Sequence, residues 1–195
     1  MNYEQPSLSI VDDLVEEDLQ RQLTALIQSP IWAYGWRSNL QGDRFAYWHS
    51  HFAGSTQSRA NCLPQLRQEP LLAPVFHLWQ RLQTGVLAGH EPFLVYANAH
   101  TYGVEGYVHR DSLDTKNYFS TVYYAHPTWH KNWGGDTVFY NDTEDDIIRA
   151  VFPRPGRAVS FPGAMPHCAR APSRDCSQLR VSIVFKTQIN GACLG

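Results

Sequence analysis

From residue 92 onward, glycine and proline divide the chain into short stretches of β-forming residues. Six such stretches are recognisable, at residues 93–97, 119–124, 137–140, 147–152, 158–161 and 179–186. Turn residues separate them, among them Gly134-Gly135, Pro155-Gly156 and Pro162-Gly163. Many short strands at this spacing predict an antiparallel sandwich or a jelly roll.

The residues before this region have a helical pattern. Leucines recur at near-helical spacing over residues 12–28, with acidic residues early, and Pro30 ends the predicted helix. A second apolar stripe predicts a helix over residues 74–87. The aromatic segment 32–51 between them predicts a strand or a hairpin.

These patterns together predict one mostly β domain that spans residues 1–195. We expect the sandwich or jelly-roll core over about residues 92–187. Helices within about residues 10–90 are expected to buttress one face of that core. The chain is 43% hydrophobic, which is enough to bury such a core.

Two candidate metal ligands lie two residues apart, at His109 and Asp111. Residues i and i+2 of a strand face the same side, so both side chains are predicted to point into the mouth of a barrel. One histidine and one carboxylate supply two ligands of the 2-His-1-carboxylate triad that holds Fe(II) in oxygenases. His167 follows a predicted strand, and Pro166 restricts the backbone before it, which makes it the candidate third ligand. A hydrogen-bonded histidine without a metal is the alternative for His167.

The stretch 179–186 alternates between two faces, and Arg180 shares one of them with Ser182. An arginine that points into a barrel requires an anion. A guanidinium beside a hydroxyl suits the bidentate capture of a carboxylate. A structural ion pair is the alternative for Arg180 alone, but the order of His-x-Asp, distal His and Arg-x-Ser is specific as a set.

With these motifs, the chain resembles the prolyl-4-hydroxylase-like branch of the Fe(II)/2-oxoglutarate-dependent dioxygenases. The resemblance covers roughly residues 92–187. It is carried by Tyr102-Gly103, Gly106-Tyr107-Val108-His109-Arg110-Asp111, Val122-Tyr123-Tyr124, Trp133-Gly134-Gly135-Asp136-Thr137, Pro155-Gly156-Arg157, Phe161, His167 and Arg180-Val181-Ser182.

The resemblance implies a double-stranded β-helix, the cupin-like form of the jelly roll, for this core. It also implies a role for each matching residue. His109, Asp111 and His167 would bind Fe(II), and Arg180 would hold the distal carboxylate of 2-oxoglutarate. Tyr124 and Ser182 would add hydrogen bonds to that carboxylate. Asn98 matches the asparagine of an Asn-x-Tyr pair that holds the cosubstrate in several relatives, but here His100 replaces the tyrosine.

The implied reaction consumes O₂ and 2-oxoglutarate and releases succinate and CO₂. Because Asp111 is present, hydroxylation or desaturation is expected rather than halogenation, and we predict hydroxylation of an unactivated C–H bond in a small molecule such as an amino acid. A protein or peptide prolyl hydroxylase is the alternative, and a non-catalytic, cupin-like metal-binding module is a remote one. Four side chains near the motifs are candidate substrate contacts, namely Tyr107, Arg110, His49 and Arg170.

Charge and composition limit the partners that we expect. The net charge of -2 and the absence of a Lys/Arg block argue against a nucleic acid partner and thus against an oxidative nucleic acid demethylase. No apolar stretch is long enough to span a membrane, and the first residues lack the pattern of a signal peptide. Four cysteines without a CxxC pair favour a reducing compartment. We therefore expect a cytoplasmic monomer or homodimer.

Overall fold

Ten strands form two antiparallel sheets in the computed structural model, which describes residues 8–39 and 42–189. In chain order the strands are β1 (Ser9–Val11), β2 (Ala33–Trp36), β3 (Tyr47–Gly54), β4 (His90–His100), β5 (Tyr118–Tyr124), β6 (Thr137–Tyr140), β7 (Ile147–Val151), β8 (Ala158–Pro162), β9 (His167–Ala169) and β10 (Arg180–Ile189). The larger sheet has the order β1-β8-β5-β10-β4-β3-β2, and the smaller one has the order β7-β6-β9. This is the mostly β, jelly-roll architecture that the sequence predicts. The predicted single domain, 1–195, includes residues outside the described ranges and stays a prediction.

The six strands predicted from residue 92 onward are present, and the two central ones are longer than predicted. Strands β4 and β10 pair with each other over their whole lengths, and each has a second neighbour in the sheet. Because both strands are hydrogen-bonded on both sides, they extend further than the apolar residues from which the sequence predicts them. The predicted hairpin at 32–51 is the antiparallel pair of β2 and β3.

The region 10–90 contains more than the expected helices. Strands β2 and β3 extend the larger sheet at one end, and β1 extends it at the other. Four helical segments accompany them: α1 (Glu17–Gln28), α2 (Leu63–Gln68), a 3-10 turn (Pro70–Leu72) and α3 (Ala73–Gln83). The helices that the sequence predicts are present here, together with the strands β1, β2 and β3. Segments as short as β1 and α2 carry too few residues to show a period.

Helix α1 begins at Glu17 rather than at residue 12. Asp13 has a positive φ of 52°, and the backbone N–H of Leu14 bonds to Gly156 O at 3.4 Å, so the chain turns there. Glu17 and Asp18 then occupy the first helical turn, where carboxylates are favoured by the helix dipole.

Helices α1 and α3 cover one face of the larger sheet. Leu23 of α1 and Leu78 of α3 are fully buried in one cluster with Ile183 and Phe185 of β10. The ring of Trp79 lies 5.8 Å from that of Phe185. Because side chains alternate along a strand, the outward residues of β10 anchor the helices and leave its other face for the interior.

The interior between the two sheets is closed by aromatic residues. Phe139 of the smaller sheet and Phe161 of the larger one are fully buried, with ring centroids 4.9 Å apart. This second cluster fixes the distance between the sheets beside the site described below. Among the described helices, none combines the length and the apolar character that a membrane span needs.

Candidate active site

The structure brings His109, Asp111 and His167 together in the interior. One potential ligand atom from each residue lies within 4.8 Å of the others. The Nε2 atom of His109 is 3.7 Å from Asp111 Oδ1, and that of His167 is 3.5 Å from Asp111 Oδ2. Two imidazole nitrogens and one carboxylate at these separations form a donor set suited to Fe(II).

Hydrogen bonds orient both imidazole rings toward the centre of this triad. Nδ1 of His109 lies 2.7 Å from Tyr107 O, and Nδ1 of His167 lies 2.9 Å from Met165 O. A carbonyl oxygen only accepts, so each Nδ1 donates and each Nε2 keeps a free lone pair. Burial lowers the pKa of His167 to about 4, so this ring is neutral at pH 7, as a metal ligand must be.

The carboxylate of Asp111 is held in its ionised form. Burial acts to raise the pKa of Asp111, but Lys186 and the two histidines outweigh it and keep that pKa well below its usual range. Ser120 Oγ donates to Asp111 Oδ2 at 2.6 Å, and Lys186 Nζ donates to the same oxygen.

The segment that carries His109 and Asp111 is not the strand that the sequence predicts. It is irregular, and the backbones of His109 and His167 exchange two hydrogen bonds, of 3.1 and 3.0 Å, as an isolated bridge. The N–H of Asp111 bonds to Gly163 O at 2.8 Å. The segment that follows β8 thus fixes the positions of the first two ligands, as well as supplying the third.

Arg180 lies in the same interior, at the start of β10. Its side chain is 2% exposed, its Nε donates to Gly135 O at 2.5 Å, and its Nη2 donates to Thr137 Oγ1 at 2.8 Å. A side chain at Gly135 would lie 3.1 Å from Arg180 Cδ, which explains the glycine at this turn. Arg180 forms no ion pair within the described part of the chain. A buried guanidinium without an acidic partner is suited to an anionic ligand.

A narrow inner cavity connects the triad with Arg180. The residues that line it show whether the site suits 2-oxoglutarate. His100, which faces Arg180 across the β4–β10 pair, lines this cavity. Its Nδ1 is buried without a hydrogen-bond partner among the described residues. Burial lowers the pKa of His100 to about 3, so the ring is neutral at pH 7. Its unpaired Nδ1 can form a hydrogen bond with a ligand or a water molecule in the cavity. The cavity therefore has metal ligands at one end and the Arg180 cation at the other. This arrangement suits a 2-oxo diacid, which can chelate the metal at one end and place a carboxylate at the other.

The predicted cosubstrate contacts differ in where they lie. Asn98 and Ser182 face each other across β4 and β10, and both line the inner cavity. Tyr124 is buried behind Arg180, with its ring 5.3 Å from the guanidinium carbon, and does not line that cavity. Its hydroxyl hydrogen-bonds to Thr137 Oγ1 at 2.7 Å, so it supports the residue that holds Arg180.

Only one of the four candidate substrate contacts lines a cavity near the triad. His49 does so, and its Nδ1 lies 2.8 Å from Asn98 Oδ1. Arg110 bonds to Ala164 O and Asp142 O on the far side. Arg170 is exposed and reaches only the hydroxyl of Tyr140, and Tyr107 lines neither the inner cavity nor the outer cleft.

A second, outer cleft of about 610 Å³ begins at Asp111 and opens beside the β2–β3 hairpin. Asp111, Tyr96 and Lys186 line both this cleft and the inner cavity. Sequence reasoning missed Lys186, although it continues the inward face of Arg180 and Ser182 at even spacing. It also missed Arg59 and Tyr118, which line the cleft from segments without any motif.

Comparisons with known proteins agree with this geometry. Residues 96–185 match the family model of the 2OG-Fe(II) oxygenase superfamily. A search of curated protein sequences finds no match.

Solved structures with a similar fold include enzymes of different kinds. A Pseudomonas putida prolyl-4-hydroxylase is 20% identical, with 96% of this chain and 95% of that chain covered and a TM-score of 0.62. A Trichoplax adhaerens prolyl hydroxylase, in complex with a hypoxia inducible factor oxygen degradation domain peptide fragment, is 16% identical, with 95% and 84% covered and a TM-score of 0.60. A non-heme alpha ketoglutarate dependent carbocyclase from nogalamycin biosynthesis is 12% identical, with 95% and 81% covered and a TM-score of 0.62. At these identities the similarity establishes the jelly-roll fold.

The segment that the family model matches contains the triad and Arg180. Over residues 96–185 the chain is therefore similar to the 2OG-Fe(II) oxygenase superfamily, the enzymes that use Fe(II), 2-oxoglutarate and O₂.

Proposed function

We propose that this oxygenase hydroxylates an unactivated C–H bond of a small molecule and releases succinate and CO₂. The observation that carries the proposal is the outer cleft, whose volume of about 610 Å³ lies within the range of about 300–1,000 Å³ that is usual for small-molecule sites. The cleft meets the triad at Asp111, so a molecule bound in it would place a C–H bond beside the metal.

Each part of the site has a task in this reaction. His109, Asp111 and His167 would hold Fe(II), and Arg180 would hold the distal carboxylate of 2-oxoglutarate. When bound, the iron and 2-oxoglutarate together supply the activation of O₂. The two carbonyls that fix the histidine tautomers keep both Nε2 atoms directed at the metal. Gly135 O and Thr137 hold the guanidinium in place before any ligand arrives, which lowers the entropy that binding must remove.

The two cavities give the cosubstrate and the substrate separate places. The inner one reaches Arg180, and the outer one is walled on one side by Trp36, whose ring stacks on that of His49 with centroids 4.1 Å apart. His49 in turn is hydrogen-bonded to Asn98 in the inner cavity. A substrate that packs on this wall would exclude water from the metal without a large rearrangement of the protein.

A peptide substrate is the second candidate, and one feature of the fold favours it. Strand β2 is an edge of the larger sheet, all four of its residues are exposed, and Trp36 at its end borders the cleft. An extended peptide could add to such an edge by backbone hydrogen bonds. The non-catalytic module is disfavoured, because it gives no reason for Arg180 to be buried without an anion.

Succinate formation tests the proposed reaction. The protein is reconstituted with Fe(II) without oxygen, then given O₂ and 2-oxoglutarate together with either small molecules or proline-containing peptides. We expect succinate production that is stimulated by a small molecule and that is lost in His109→Ala. The matched control is His130→Ala, which removes an exposed histidine from a turn outside both cavities.

Each outcome separates the candidates. Stimulation by peptides alone would replace the small-molecule proposal with the peptide one. Succinate that forms equally in His109→Ala would show that the triad is not the metal site. Absence of both succinate and 2-oxoglutarate binding would refute the proposed reaction.

A further inference from the structure

Lys186 is a buried cation that lies beside the candidate metal site. Its side chain is 7% exposed and contacts Asp111, the candidate metal ligand, and Ser120, whose Oγ lies 3.0 Å from Nζ. Burying an ammonium is costly unless an anion compensates it. The one carboxylate that does so here is also the one that the metal needs.

A count of formal charges shows what changes when the site is loaded. Fe(II) brings two positive charges, 2-oxoglutarate brings two negative ones, and Asp111 and Arg180 cancel each other. The histidines are neutral ligands. The charge of Lys186 is then left over, on the side of the metal that faces the outer cleft. A substrate with one negative charge would neutralise it.

The outer cleft supplies further hydrogen-bond donors near Lys186. Tyr96 and Tyr118 both line it, and within the described part of the chain neither hydroxyl has a hydrogen-bond partner. Burial raises the pKa of Tyr118 to about 12, so its hydroxyl keeps its proton at neutral pH and can donate. Two unused phenols beside an ammonium make this end of the cleft rich in donors.

Arg59 adds a second cation at the rim. Its guanidinium carbon lies 5.1 Å from the centre of the Tyr118 ring and 5.9 Å from that of Phe93. Its ion pair with Asp114, at 3.3 Å, is partly exposed and therefore weak. Asp114 also accepts backbone N–H bonds from Lys116 and Asn117, so it does not depend on Arg59.

We propose that this group of donors, Arg59, Tyr96, Tyr118 and Lys186, binds a carboxylate of the substrate. The substrate class is then a small carboxylic acid with a ring or another apolar body. The planar guanidinium suits a carboxylate, and the exposed ring of Trp36 offers apolar contact to the rest of the molecule. The proposal rests on the proposed function, because it assigns the outer cleft to the substrate.

Matched acids and amides test the charge without changing shape. The probes are phenylacetate, cyclohexanecarboxylate and N-acetyl-L-proline, each compared with its primary amide. The protein is loaded with Fe(II) and 2-oxoglutarate in the absence of oxygen, and each dissociation constant is measured by calorimetry. We expect at least one acid to bind about 10- to 100-fold more tightly than its amide, as a charge-assisted hydrogen bond would give.

Two variants locate the preference. Arg59→Gln and Lys186→Met are each expected to reduce the ratio of amide to acid dissociation constants about tenfold, whereas Lys131→Met, an exposed lysine elsewhere, should keep the wild-type ratio. A merely structural role would weaken the binding of acid and amide alike and leave the ratio as it was. Arg59 does not contact the triad, so Arg59→Gln remains informative if Lys186→Met loses its metal.

The result that overturns the proposal is the absence of any acid preference in the wild-type protein, or a preference that survives both variants. Titration of 2-oxoglutarate in the same samples separates the two hypotheses. Protein that binds 2-oxoglutarate but prefers no acid refutes the carboxylate site alone. Protein that does not bind 2-oxoglutarate refutes the proposed function.

Discussion

Replacing Arg180 by methionine is expected to weaken 2-oxoglutarate binding severely and to leave the ligand-free protein about as stable as before. The substitution removes the charge and keeps most of the length of a side chain that is only 2% exposed. Binding and stability are expected to respond differently, because the guanidinium forms no ion pair within the described part of the chain until a ligand supplies the anion.

The effect on stability follows from the contacts of the side chain. Two hydrogen bonds are lost, to Gly135 O and to Thr137 Oγ1, each worth about 1.5–3 kcal/mol when the donor is charged. The substitution also removes the desolvation cost of a buried cation without an ion pair, which is several kcal/mol. The terms nearly cancel, so we expect the free energy of unfolding to stay within about 1 kcal/mol of wild type.

The effect on binding has no such compensation. Removing one partner of a buried charge pair costs about 2–5 kcal/mol, which raises the dissociation constant of 2-oxoglutarate about 30-fold or more. The assay is urea unfolding with and without 2-oxoglutarate, in the presence of Fe(II) and without oxygen. Ligand at 100 times its dissociation constant should add about 2.7 kcal/mol to the stability of wild type and far less to that of Arg180→Met.

Arg170→Met is the matched control, since Arg170 is exposed and the one described hydrogen bond of its side chain is to the hydroxyl of Tyr140. It should keep the stabilisation by 2-oxoglutarate. A ligand-free Arg180→Met protein that loses several kcal/mol of stability, yet is still stabilised by 2-oxoglutarate as wild type is, would refute the reasoning. Arg180 would then be a structural residue and not the anchor of a ligand.

Three further predictions address the supports of the site. Thr137→Val removes the acceptor of Arg180 Nη2 and should raise the dissociation constant of 2-oxoglutarate about tenfold by calorimetry; a change below about twofold would contradict it. Leu23→Ala should lower the unfolding free energy by about 2–5 kcal/mol, against about 0.5 kcal/mol for Leu113→Ala at an 87% exposed position, and equal losses would refute the packing argument. Burial lowers the pKa of His126 from 6.5 to about 4. Between these pH values the imidazole is protonated in the unfolded chain but not in the folded protein, so the free energy of unfolding falls as the pH drops from about 6.5 toward 4. That loss, at most about 1.4 kcal/mol per pH unit, should become smaller in His126→Gln, and urea unfolding that shows identical slopes would contradict it.

Much of the fold could be predicted because its central strands carry strong local patterns. The apolar alternation in 179–186 predicts both the strand β10 and the inward face of Arg180. Segments fixed by their neighbours carry no such pattern. His109 lies outside any strand, and its place is set by hydrogen bonds to the backbone of His167, far away in the sequence. The three candidate ligands, chosen for their chemistry, lie together in space even though the local structure around the first two was predicted wrongly.

The outer cleft could not be predicted, for a physical reason. Its lining comes from β2, β3, β4, the turn before α2, the segment at Asp111, the start of β5 and Lys186 of β10. Arg59 and Tyr118 meet there only because the sheet places these segments side by side, and neither belongs to a motif. A substrate site of this kind depends on long-range topology, whereas the metal site depends on residue types that few other functions require.

The spacing of the two interior cations on β10 gives the site its polarity. Arg180 and Lys186 are six residues apart, which is about 20 Å along a strand, and both face the interior because their separation is even. The triad lies between them, in contact with Lys186 and connected to Arg180 by the inner cavity. One strand thus offers an anion site on either side of the metal. Because the two cations share one face but are far apart along the strand, a diacid that chelates the metal and reaches Arg180 leaves the Lys186 side free. A register shift directly after Lys186 ends the series of inward-facing residues on β10. The strand thus offers Arg180 to 2-oxoglutarate and Lys186 to the proposed carboxylate of the substrate.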